Sequence, residues 1–89
     1  MRENQQRTSI PTANTWVAVT IPIGATDFLL GVEDSTGTFR ISTDNSLDAS
    51  SQGMYVAATG LYGHEGTTTS ELTIYISASS ITTAILQYN

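Results

Sequence analysis

Apolar and polar residues alternate with a period of two along most of this chain, which is the signature of half-buried β-strands. Val17, Val19, Ile21 and Ile23 share one phase, with Trp16, Ala18, Thr20 and Pro22 on the other. After the turn chemistry of Gly24-Ala25-Thr26-Asp27, Phe28, Leu30 and Val32 alternate with Leu29, Gly31 and Glu33. Asp34-Ser35-Thr36-Gly37 is turn-forming and leads to Phe39 and Ile41, set against Thr38, Arg40 and Ser42. These two runs are predicted to close a hairpin, with Arg40 on the outer face pairing with Glu33 or Asp34 across it.

Asp44 to Gly53 has only Leu47 and Ala49 as apolar members and is predicted to be the longest loop, with Ser46 able to cap one helical turn. Met54, Val56 and Ala58 then alternate with Tyr55, Ala57 and Thr59, in a run expected to continue through a bulge at Gly60 to Leu61 and Tyr62. Gly63 to Ser70 reads as a second loop. Leu72, Ile74 and Ile76 against Thr73, Tyr75 and Ser77 form the cleanest alternation of the chain. In the last run, Ala84, Leu86 and Tyr88 are assigned to the core side.

No helical period appears in any window of 11 or more residues, and no internal repeat of 20 to 50 residues is present. The pattern therefore predicts an all-β fold: a small antiparallel β-sandwich, jelly-roll-like, of six to eight short strands. Residues 1–11 are polar, mix both charge signs and end at Pro11, so they are expected to be an arm, with residues 12–89 as the single domain. The expected core is Val17, Val19, Ile21, Phe28, Leu30, Val32, Phe39, Ile41, Val56, Ile74 and Ile76.

Composition narrows what such a sandwich can do. Fifteen Thr and ten Ser among 89 residues give hydroxyl-rich surfaces, while charged residues make up only 12%. Lys is absent and the cations are Arg2, Arg7 and Arg40, for a net charge of −5. Nucleic acid and anionic membrane are thus not expected partners, since both are bound by clustered Lys and Arg. The absence of Cys removes disulfides, thiolate chemistry and Cys-based zinc sites. The first nine residues hold no apolar run suited to a signal peptide, so export by that route is not expected and the chain is expected to be a soluble protein made in the cytoplasm.

Candidate chemistry is sparse. His64 is the single His, it lacks a second His four residues on, and it lies in the Gly-rich stretch; without an oriented partner it makes neither a zinc-protease motif nor a triad. Asp44 and Asp48 do not follow an EF-hand spacing, and turn carboxylates bonded to their own backbone are the plainer reading. No catalytic residue, metal ligand or cofactor is assigned, and the chain is expected not to be an enzyme. Trp16, Tyr55 and Tyr75 fall on the phases opposite their strands' aliphatic residues, where aromatic side chains anchor protein interfaces or stack on sugars. With Tyr62 and, in the arm, Arg7, they form the candidate interface.

The run Ile21-Pro22-Ile23-Gly24-Ala25-Thr26-Asp27-Phe28-Leu29-Leu30-Gly31-Val32-Glu33-Asp34, followed by Phe39-Arg40-Ile41-Ser42-Thr43-Asp44, resembles a group of small virion structural proteins of tailed bacteriophages. The shared order is an Ile-Pro-x-Gly-Ala turn, a strand ending in Val-Glu-Asp, an aromatic-Arg strand with a nearby Asp, a Gly before a Leu-rich strand, and a C-terminal strand. The resemblance spans roughly Thr15 to Tyr88. It implies a β-sandwich without enzymatic activity that resides in the virion as a capsid decoration or cement protein or a head-tail accessory subunit. Other virion proteins and further copies of the chain would be its partners. The alternative is a receptor- or glycan-binding module of a tail tip or fibre, with the aromatic residues as stacking platforms for a glycan.

Overall fold

The structure, a computed structural model, describes residues 4–33, 38–56 and 62–89, with backbone alone at His64 and Glu65. Eight strands form among these residues: β1 (Asn4–Ile10), β2 (Val17–Ile21), β3 (Thr26–Val32), β4 (Phe39–Ser42), β5 (Met54–Val56), β6 (Tyr62–Thr67), β7 (Leu72–Ala78) and β8 (Thr82–Tyr88). They form two four-stranded antiparallel sheets, a first in the order β1-β8-β3-β6 and a second in the order β2-β7-β4-β5.

This order has a simple origin in pairing. β1 pairs with β8, β2 with β7, β3 with β6 and β4 with β5, so the chain is one long doubled-back ribbon whose tip is the 43–53 loop. The ribbon is rolled so that β8 also meets β3 and β7 also meets β4. The result is a jelly roll, in which every connection between the described strands except β4 to β5 changes sheet.

The inward phase of each strand supplies the core. Ile10, Ile21, Phe28, Leu30, Phe39, Ile76 and Leu86 are fully buried, and Val19, Ile41, Ile74, Ala78 and Ala84 join them. Val17, Val32, Val56 and Tyr88 pack against this cluster from its rim. Burying each of the larger aliphatic or aromatic side chains contributes roughly 1.5–3 kcal/mol.

Several local expectations are corrected. Residues 4–10 of the expected arm are β1, paired over seven residues with β8 and fixed by Ile10, the one apolar residue of the segment and fully buried. β3 and β4 do not form a hairpin. They lie in different sheets, because Phe28 and Leu30 on one and Phe39 and Ile41 on the other bury each other across the sandwich instead of lining one face. Tyr62 does not end the Met54 run but opens β6 in the first sheet, and part of the expected 63–70 loop is that same strand. The 34–37 turn and the Gly60 bulge lie outside the described residues.

Ile23, in phase with β2, is 68% exposed because the chain leaves the strand at Ile21 and turns through Gly24. Ser77 departs the other way: it sits on the outward phase yet is 1% exposed, because the 43–53 loop folds over it.

Candidate interaction surfaces

The outer face of the second sheet collects three of the five candidate residues. Register sets Tyr75 between Ala18 of β2 and Ser42 of β4, and sets Arg40 between Ser77 of β7 and Tyr55 of β5. Trp16 immediately precedes β2 on the same phase.

The 43–53 loop lies across this face and is built from its own polar side chains. The Asp44 carboxylate accepts from the Ser46 amide and hydroxyl, at 2.9 and 2.7 Å, and the Asp48 carboxylate accepts from the Ser50 amide and hydroxyl at the same distances. Ser46 is therefore a donor to Asp44, not a cap: the single helical turn of the loop runs from Asp48 to Gln52, closed by the Gln52 N–H on the Asp48 carbonyl at 2.8 Å, and the Asp48 carboxylate caps it. These bonds favour the ionised carboxyls: the Ser46 side chain foremost holds Asp44 below its ordinary value, and the Ser50 side chain does the same for Asp48.

Three contacts dock the loop on the sheet. The Trp16 Nε1–H donates to the Leu47 carbonyl at 2.9 Å, and the Ser77 hydroxyl donates to the Ala49 carbonyl at 2.7 Å. Gly53 closes the loop at φ +87°, where a Cβ would come within 2.8 Å of the Ile41 carbonyl oxygen and 3.0 Å of the Trp16 ring. Trp16 is thereby half-buried as the loop's anchor, with its indole N–H engaged.

Tyr55 remains 55% exposed, with the Arg40 guanidinium 4.9 Å from its ring centroid. This contact takes the place of the expected pairing of Arg40 with Glu33; the other expected partner, Asp34, lies outside the described residues. Glu33 instead pairs with Arg7, and in the order β1-β8-β3 that ion pair spans β8 on the outer face of the first sheet. Tyr62 points between the sheets, half-buried, with its ring centroid 6.0 Å from that of Phe28. The five residues thus divide into Trp16, Tyr55 and Tyr75 on one outer face, Arg7 on the opposite one, and Tyr62 inside.

Sequence reasoning missed a shallow groove of about 180 Å³ on the outer face of the first sheet, lined by Leu29, Gly31, Val32, Ile85 and Gln87. Its signal was Gly31 inside a strand pattern, since a missing side chain there leaves a notch between Leu29 and Ile85.

Among the described residues no group of three or more His, Cys, Asp or Glu side chains converges, and every buried side-chain nitrogen or oxygen has a hydrogen-bond partner. What these surfaces offer is contact: hydroxyl and amide groups, one exposed aromatic-cation pair, and strand edges. No protein-family model matches the chain, and neither a curated protein nor a solved structure matches it.

Proposed function

We propose that this protein is a non-enzymatic structural subunit of a tailed-phage particle, a capsid decoration or cement protein or a head-tail accessory subunit. The observation that carries the reading is how sparsely charged the surface of this jelly roll is: charged residues are 12% of the chain and Lys is absent. Its two described cations are already engaged, Arg7 with Glu33 and Arg40 with Tyr55, and hydroxyl and amide side chains cover most of the remaining surface. Interface cores are depleted in charge and enriched in aromatic residues, so such surfaces suit burial against neighbouring subunits. The resemblance carried by Ile21 to Asp34 and Phe39 to Asp44 supports the same conclusion.

A stop codon early in the reading frame tests it. Particles made without the chain should take up added purified protein saturably, and failure of such particles to bind it would overturn the reading.

A second reading, a glycan-binding module of a tail tip or fibre, draws on the exposed Tyr55 ring with Arg40 beside it. Aromatic faces stack on sugars, and Arg40 would add donors to their hydroxyls. A glycan array probed with the wild-type chain and with Tyr55→Ala separates the two: specific binding lost in the variant supports the module, and no binding removes it.

A further inference from the structure

A sandwich has four edges, and among the described residues two of them are visibly blunted. β2 is five residues long and is followed by Pro22, and β6 carries a register shift opposite Thr26 and Phe28 together with Gly66 at φ +98°. β5 runs up to residues outside the described ones. Short strands, Pro and bulges are the usual means of stopping one sheet from extending into another.

Of these β1 shares only the trailing proline, Pro11 after Ile10; it is neither short nor bulged. It runs straight for seven residues, in unbroken register with β8, which is its only strand neighbour among the described residues. Its outer backbone N–H and C=O groups are thus presented as a template for a further strand.

The side chains of β1 indicate which strand that is. Gln6 faces inward, level with the buried Leu86, yet is exposed, so the first sheet overhangs the second here and β1 is polar on both faces from Asn4 to Ser9. Asn4, Gln5 and Gln6 each carry an amide that both donates and accepts, which makes the segment its own complement. The chain has eight carboxylates and a net charge of −5, but none of the carboxylates lies between Asn4 and Ile10, and the charge of Arg7 is offset by Glu33 of the same chain. Two copies therefore meet along this edge without carboxylates of β1 opposing one another.

We propose that β1 pairs antiparallel with β1 of a second copy, joining two four-stranded sheets into one eight-stranded sheet across a two-fold axis. This is an isologous contact, in which each residue finds the same surface on its partner. The inference goes beyond the virion reading, because it concerns the chain in solution without any particle. A contact one strand wide associates weakly, so the dimer depends on concentration.

Sedimentation velocity of the full chain from about 10 μM to about 1 mM should show a monomer–dimer equilibrium. Amide exchange at the dimer end of that range should slow at alternate residues of β1, since successive N–H groups of a strand point to opposite sides. Of Gln5→Pro and Gln6→Pro, one removes an N–H from the β8 ladder and the other an N–H from the free edge. The edge variant should keep its melting temperature and lose the dimer. Gln6→Lys, which places like charges on the overhang of both copies, should fold normally and weaken dimerisation about tenfold.

A monomer across the whole range, or a dimer weakened by neither the edge Pro nor Gln6→Lys, would overturn the proposal. Uptake of a strictly monomeric chain by particles would reject the β1 pairing while leaving the virion reading in place.

Discussion

Replacing Ile10 by Ala tests whether the N-terminal segment belongs to the fold. Ile10 is 0% exposed at the end of β1, opposite Thr82 of β8, in a segment otherwise made of polar residues. Truncation to Ala removes about three methylene equivalents, at about 0.8 kcal/mol each, and adds the cost of whatever cavity remains, for a total of about 2–5 kcal/mol. A domain of this size holds roughly 4–13 kcal/mol in all, so one substitution takes a large part of it. The expected fall in melting temperature is about 4–8 °C for each kcal/mol lost. Urea titration followed by far-ultraviolet circular dichroism reads this as a lower midpoint at unchanged slope. Ser9→Ala, exposed on the same strand, is the control and should stay within about 0.5 kcal/mol of wild type. An Ile10→Ala protein as stable as its Ser9→Ala counterpart would refute the reasoning and return residues 4–10 to the status of an arm.

The loop and its anchors give further tests. Ser77→Ala leaves the Ala49 carbonyl without its 2.7 Å donor and should cost about 1–3 kcal/mol, with faster amide exchange confined to residues 44–53. Gly53→Ala should cost more than Gly24→Ala in the same urea assay: both glycines have positive φ, but an added Cβ meets nothing within 4 Å at Gly24 and meets the Ile41 carbonyl at 2.8 Å at Gly53. Asp44 and Asp48 have folded-state pKa values below the ordinary 3.8, so each contributes stability that is complete above that value and is lost as the pH falls through the lowered one. The double variant Ser46→Ala/Ser50→Ala should therefore show a shallower loss of stability on acidification below about pH 4 than wild type does, measured by urea midpoints at successive pH values.

The alternation of apolar residues is legible where both neighbours of a strand are in place. Val19, Ile21, Phe28, Leu30, Phe39, Ile41, Ile74 and Ile76 were all expected inside and are all buried, and Ala84 and Leu86 follow the phase assigned to them. β1 escaped because six of its seven residues are polar: the strand is held by its ladder to β8 and by Ile10, and neither produces a periodic signal. β6 escaped because Gly63 and Gly66 read as turn chemistry, whereas pairing with β3 decides the conformation.

Partner choice was less legible than strand existence. Phe28 to Val32 and Phe39 to Ile41 look alike as adjacent strands of a hairpin and as facing strands of a sandwich, and only the whole doubled ribbon distinguishes them. The same holds for the surfaces. An outward phase on β7 indicated exposure for both Tyr75 and Ser77, but a loop some 25 residues upstream covers Ser77, and Trp16 was legible as an outward aromatic without any sign that its N–H closes that loop.

The central claim is that this jelly roll is a resident of a phage particle, and quantitative mass spectrometry of purified particles tests it most directly. The account predicts the chain in gradient-purified virions at a fixed ratio to the major capsid protein, with hundreds of copies for a decoration protein and a few for a subunit of the neck or tail. Full-length chain abundant in the infected-cell lysate but absent from the particles would contradict it.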